Sequence, residues 1–197
     1  THPDRTYVIP YFANLATVGL ARAFAITRNT RIASSAWRWL TWRCDHTLGR
    51  GYTDDYAIVG GVPVSTGDVN AQESEAATFL MALLALWRAT GDRSRLRSFG
   101  ACADASLGRI EALQDDDGLT IPKPSWPVKY LMNQAEAYAG FTSAAALGRA
   151  LGDPLLVRRA NDGAGKVQTG VATLWDPATG AYDWALHPDG KIGRAHV

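Results

Sequence analysis

Ala76-Ala77-Thr78-Phe79-Leu80-Met81-Ala82-Leu83-Leu84-Ala85-Leu86-Trp87 runs without a single charge. A helix on a protein surface keeps a polar face, so one that is apolar all round is buried on most sides. The stretch ends at Thr90-Gly91-Asp92, where a glycine C-cap stands directly before an aspartate N-cap. The next segment is different in kind. From Asp92 to Leu113 the charges Asp92, Arg93, Arg95, Arg97, Asp104 and Arg109 surround an apolar stripe of Leu96, Phe99, Ala103, Ile110 and Leu113. That is the pattern of a half-exposed helix.

The same contrast recurs along the whole chain. Six helices are predicted, at roughly 9–27, 31–48, 73–90, 92–113, 128–151 and 153–174. The odd-numbered ones are nearly uncharged: Arg22 is alone between Tyr11 and Phe24, and Glu136 is alone between Tyr130 and Leu147. The even-numbered ones are amphipathic, the last through Leu156, Ala160, Ala164, Val167, Val171 and Leu174. Inner and outer helices in alternation describe helical hairpins set side by side, in a toroid or a solenoid. Small residues such as Ala76, Ala77, Ala139, Gly140 and Ala144 let the inner backbones approach closely.

Link lengths give the assembly a polarity. Inner-to-outer links are minimal, as in Leu151-Gly152-Asp153-Pro154, whereas outer-to-inner links run from Gly49 to Gln72 and from Gln114 to Pro127. Connections that long are usually functional. Both emerge at the leading ends of the inner helices, so function is expected there. After the sixth helix, Trp175 to Trp184 reads as a turn into a short β-hairpin-like segment, and His187-Pro188-Asp189-Gly190 as a second turn.

Composition excludes several classes. The 197 residues carry 20 basic and 19 acidic side chains, a balance that offers nucleic acid no basic face. No apolar run approaches the ~20 residues of a membrane span. Phosphate-loop, Rossmann, nucleophile-elbow and zinc-protease motifs do not occur, and no cofactor or metal is implied. Cys44 and Cys102 read as two half-buried thiols, with a disulfide as the open alternative. The chain opens at Thr1, and Ile192-Gly193-Arg194-Ala195-His196-Val197 resembles the translation of a common sequencing adapter. The expectation is a partial domain over residues 1–191, a non-native tail over 192–197, and an undecided compartment.

Several stretches resemble the (α/α)6 six-hairpin glycosidases, a toroid found in bacterial glycoside hydrolases. They are Tyr7-Val8-Ile9-Pro10-Tyr11-Phe12-Ala13-Asn14-Leu15-Ala16, Asp55-Tyr56, Glu73-Ser74-Glu75-Ala76-Ala77-Thr78-Phe79-Leu80, Lys123-Pro124-Ser125-Trp126-Pro127-Val128-Lys129-Tyr130-Leu131-Met132-Asn133-Gln134-Ala135-Glu136 and Leu174-Trp175-Asp176-Pro177. The resemblance implies an all-α fold comprising about half such a ring. It also implies a carbohydrate-active protein that acts as a glycoside hydrolase on an oligo- or polysaccharide. Two alternatives stay open: a non-catalytic domain binding carbohydrate or protein, and a uronic-sugar lyase or isomerase. Related chains tend to read Asp-Ser-x-Asp-Ser and Asp-Asn-x-Glu where this one has Asn70-Ala71-Gln72-Glu73-Ser74 and Asn133-Gln134-Ala135-Glu136.

Glycoside hydrolysis takes two carboxyl groups, one to protonate the leaving oxygen and one to activate water or attack carbon. Glu136, alone in an apolar helix, is the expected acid, unless it is paired with a cation such as Lys129. Glu73, at an inner-helix N-terminus, suits a base or nucleophile and equally a cap. Asp55 is the third catalytic candidate. Trp126, Tyr56 and Tyr130 offer stacking faces for a sugar ring. Asp68, Lys123, Asn133 and Gln134 offer hydrogen bonds to its hydroxyls. Asp115-Asp116-Asp117-Gly118 reads as a solvated turn, with a calcium loop as the alternative. An open half ring would leave apolar flanks through which the chain self-associates.

Overall fold

The computed structural model describes residues 6–47 and 49–190, and the backbone of 192–193. Among the described residues the helices are α1 (Pro10–Thr27), α2 (Thr30–Asp45), α3 (Gln72–Thr90), α4 (Arg93–Ser98), α5 (Gly100–Ala112), α6 (Leu131–Leu151) and α7 (Pro154–Ala172). Helix α3 is central among the inner set, packed on α1 to one side and α6 to the other. Outside it, α2 covers α1 and α3, α5 covers α3 and α6, and α7 covers α6. This is a partial (α/α)6 toroid.

Each tight link is built the same way. The chain leaves α1, α3 and α6 through a left-handed residue, at Arg28 (φ 56°), Gly91 (φ 68°) and Gly152 (φ 75°). The next helix then starts on a side-chain cap: Asn29 accepts from Arg31 N, Asp92 from Arg95 N, and Asp153 from Leu155 N and Leu156 N. The first link uses Arg28 where glycine would be at ease.

The core lies between α3 and its neighbours, with Phe79, Leu80, Leu83, Leu86, Phe141 and Leu147 fully buried. At the α3–α6 crossing Gly140 has no room for a side chain, since a Cβ there would sit 2.6 Å from that of Ala77. A polar cluster is buried among these helices. Arg43 of α2 and Glu75 of α3 form an ion pair at 2.6 Å, and neither is exposed. Ser106 Oγ and the Gly51 carbonyl accept from Arg43, Thr53 N donates to Glu75, and the guanidinium lies 4.0 Å over the Phe79 ring. Such a pair persists when hydrogen bonds satisfy its remaining donors and acceptors.

Several expectations need correction. The fourth helix is two, broken at Phe99 (φ −95°, ψ 0°), whose N–H closes tight turns to Leu96 and Arg97. Helix α2 stops at Asp45 rather than 48. Helix α6 starts at Leu131 rather than Val128, because β4 (Lys129–Tyr130) pairs with β7 (Ala185–Leu186). The first long link carries a hairpin of β2 (Tyr56–Val59) and β3 (Val62–Ser65), extended by β1 (Tyr7–Val8). Cys44 and Cys102 are not free thiols but a disulfide between α2 and α5. Burial all round holds for α3 only. Helix α1 leaves Phe12 and Ile26 in solvent, and α6 leaves Met132 and Tyr138 there.

The expected hairpin after the sixth helix is present as β5 (Trp175–Asp176) with β6 (Ala181–Tyr182). Of the expected tail, the backbone of β8 (Ile192–Gly193) pairs with β7, and residues 194–197 lie outside the described ones.

Candidate active site

The leading ends of α1, α3 and α6 share one end of the molecule with the β1–β3 sheet, the loop from Gln114 and the β4–β7 strands. Two adjoining hollows open there, of about 210 and 880 Å³. Both are lined by Asn70, Ala71, Met132 and Asn133, which form the ridge between them.

The smaller hollow is acidic. Asp55, from the strand-like approach to β2, lines it together with Glu136 and Tyr11, and Phe12 and Ser74 complete the surface between them. Asp55 is fixed by its backbone: its N–H donates to the Asp68 carbonyl at 2.8 Å, and its carbonyl accepts from Thr66 N at 2.9 Å. The side-chain oxygen Oδ1 is buried with no partner among the described residues. Burial, with the charges of Asp68, Glu75 and Asp54 around it, pushes the Asp55 carboxyl up to about 6, against a smaller opposing pull from Lys123. Glu136, half-buried one helical turn into α6, accepts a hydrogen bond from the Tyr11 hydroxyl of α1. Burial and that carboxylate push the Tyr11 phenol up to about 12.

Lys129 is not the partner of Glu136. It bridges Asp115 and Asp117 at 2.7 Å each, so the acidic run is an ion-paired turn. No group of acidic, histidine or cysteine side chains able to hold a metal occurs among the described residues.

Glu73 stands behind the wall of the small hollow rather than in it. It is fully buried, and its Oε1 accepts from Asn133 Nδ2 and from Ser74 Oγ. Burial pushes its carboxyl up to about 7, although those two donors and nearby backbone N–H groups pull the other way. The two groups in front of it, Asn133 and Ser74, do line the hollow.

The larger hollow is aromatic. Trp126 and Trp184 stand half-exposed on its walls, and Tyr130 stacks on Trp184 with ring centres 5.7 Å apart. Trp126 Nε1 donates to the Tyr130 hydroxyl at 3.0 Å. Lys123 also lines this hollow, with its ammonium bound to Asp68 at 2.7 Å and to the Val69 carbonyl at 3.0 Å.

Six expected residues (Glu136, Asp55, Trp126, Lys123, Asn133 and Tyr130) thus line the two hollows; Glu73 touches the wall from behind through Asn133, and the exposed Asp68 holds Lys123 from the solvent side. Two are elsewhere. Tyr56 is buried edge-on against Trp42 and His46. Gln134 is buried under the second long link, where it accepts from Thr120 N and donates to the Thr120 carbonyl. Tyr11 and Trp184 line the hollows although sequence reasoning does not single them out. A tyrosine beside the first inner helix's N-terminal Pro10 is the available signal for the former; Trp184 has none.

No protein-family model matches the chain, and no curated protein matches it. Solved structures do. A cellobiose 2-epimerase from Bacillus thermoamylovorans superposes with a TM-score of 0.70 at 11% identity, over 96% of this chain and 50% of that one. A rhamnosidase from Klebsiella oxytoca with rhamnose bound gives 0.70 at 14% identity, over 97% and 37%. A GH78 family rhamnosidase of a Bacillus species gives 0.64 at 15%, over 94% and 19%. The chain therefore has the fold of carbohydrate-active (α/α)6 toroids and spans half or less of the length of each of these proteins.

Proposed function

We propose that this chain forms one wall of a glycoside-hydrolysing site, with the reacting sugar ring in the smaller hollow between Asp55 and Glu136. The observation that carries the reading is the pairing of unlike carboxyl groups there. Asp55 lines the hollow, keeps its proton up to about 6, and has one buried oxygen with no partner among the described residues. Glu136 lines the same hollow and accepts a hydrogen bond from the Tyr11 hydroxyl. In this reading Asp55, with its raised carboxyl, is the acid and Glu136, across the same hollow, is the base.

The proposed step is a hydrolysis. Asp55 gives its proton to the glycosidic oxygen as the bond to the anomeric carbon breaks. Water adds to that carbon while Glu136 takes its proton. The larger hollow, with Trp126 and Trp184, would hold the next unit through its apolar face.

The uronic-sugar lyase is the weaker reading. A uronate would enter a hollow whose lining, among the described residues, includes two carboxylates and no lysine, arginine or histidine. Tyrosine-based elimination is disfavoured as well, because the Tyr11 phenol, pushed up to about 12, holds its proton. Turnover in water enriched with oxygen-18 tests the reading: one labelled oxygen is expected in the released sugar. Asp55→Asn and Glu136→Gln should each lower kcat by about 10²–10⁴ while binding persists. A protein that binds sugar with no turnover would be the non-catalytic alternative, and an unlabelled, unsaturated product would be the lyase.

A further inference from the structure

Behind the small hollow the buried Glu73 does something that neither a catalyst nor a helix cap does. Its Oε1 takes the Asn133 Nδ2–H and the Ser74 Oγ–H together. An amide that gives one of its two N–H groups to Glu73 turns its oxygen away from that carboxylate, and a hydroxyl whose proton is committed has only lone pairs left. Both residues line the hollow. Asn133 is itself only 5% exposed, so its amide is tightly confined.

We propose that Glu73 is a positioning residue that sets the polarity of this wall, making it a row of acceptors that recognises a hydroxyl of the bound sugar as a donor. The proposal rests on the sugar-binding reading above and deepens it: the ligand class is a neutral polyol with a free hydroxyl at the ring position facing Asn133. A deoxy or O-methyl analogue at that position leaves the buried acceptors unpaired, which sites of this kind reject strongly.

The geometry around Glu73 supports this division of labour. The second carboxylate oxygen, Oε2, is buried and has no partner among the described residues. The Arg109 guanidinium of α5, whose Nε is also buried and unpartnered there, lies within electrostatic reach of Glu73. Arg109 donates instead to Gln72 and lies 5.0 Å from the centre of the Tyr52 ring. Glu73 thus acts on the hollow through Asn133 and Ser74. That separates it from Asp55 and Glu136, which line the hollow themselves.

The test has two parts. In the first, nuclear magnetic resonance follows the Asn133 side-chain amide of the full chain, assigned by its loss in Asn133→Ala. Slowed solvent exchange that Glu73→Gln accelerates is expected; an amide exchanging as freely as an exposed one overturns the proposal without reference to any ligand. In the second, calorimetry measures binding of methyl rhamnoside, methyl glucoside and methyl mannoside against their monodeoxy and mono-O-methyl analogues. The wild type should prefer one free hydroxyl by about a hundredfold. Glu73→Gln and Ser74→Ala should cut that ratio about tenfold, with the parent glycoside losing less than its preference does. An unchanged ratio in both variants overturns the proposal, and so does a wild type that binds none of the glycosides. If glycosides bind with the expected ratios but are never hydrolysed, the hydrolase reading fails and the positioning role stands.

Discussion

Reduction of the Cys44–Cys102 disulfide should lower the melting temperature of this protein by an amount set by the size of the ring it closes. The bond joins residues 58 positions apart in α2 and α5. Loop-closure entropy for a ring of that size corresponds to about 4 kcal/mol of stabilisation through the unfolded state. Native-state losses should be small, because both sulfurs are half-buried and Cys→Ser leaves a hydroxyl of similar volume. With an unfolding entropy of roughly 2.1 cal/mol/K per residue, a chain of this length has about 0.4 kcal/mol/K at its midpoint. The Cys44→Ser/Cys102→Ser variant should therefore melt about 10 °C lower than the oxidised wild type, and a reduced wild type should match it. Differential scanning calorimetry with and without reductant reads this directly. Two thiols titrating in the folded, unreduced protein would show that no such bond exists. A midpoint that reductant leaves unchanged would show that the bond contributes nothing.

Other consequences are as concrete. Asp55 and Glu73 both have carboxyl groups raised on folding, to about 6 and about 7, so the folded state binds their protons more tightly than the unfolded one does. Their contribution is fully present below the ordinary carboxylate range and is lost as pH rises through those values. Stability by urea titration should fall over that window, and Asp55→Asn with Glu73→Gln should flatten the slope. Trp126→Ala should weaken glycoside binding about tenfold, mainly in KM, by removing one stacking face of the larger hollow. The solvent-facing Phe12 and Leu15 of α1 and Met132 and Tyr138 of α6 should make the isolated chain self-associate in sedimentation. A monomer at every concentration would show that these faces are inert.

Much of the scaffold is legible in the sequence because its signals are local. Gly91 and Asp92, or Gly152, Asp153 and Pro154, punctuate helices within three or four residues. An uncharged run such as Ala76 to Trp87 declares its own burial, and long links at one end of the inner helices point to the end where the two hollows open. The features that escape depend on partners remote in the chain. Tyr11 and Glu136 meet across 125 positions, and Arg43 finds Glu75 across 32, so an arginine in an amphipathic helix gives no sign of full burial. Asp55 has its raised carboxyl chiefly because the fold buries it, and further because the β2–β3 hairpin folds Asp68 back beside it and α3 brings Glu75 near. Tyr56 reads as a neighbour of Asp55 in function, yet strand alternation turns it to the opposite side, into Trp42 and His46. Gln134 and Asn133 are adjacent on α6, and the helical rotation between them sends one under a loop and the other to the hollow.

A single sugar ring held among Asp55, Glu136 and Asn133 is the arrangement on which the proposed chemistry depends. Crystals of the protein soaked with methyl rhamnoside, methyl glucoside or methyl mannoside would reveal it. Ring density is expected in the smaller hollow, with a hydroxyl on Asn133 Oδ1 and the anomeric oxygen on Asp55. A ring bound only elsewhere, or a hollow that excludes all three sugars, would contradict that placement.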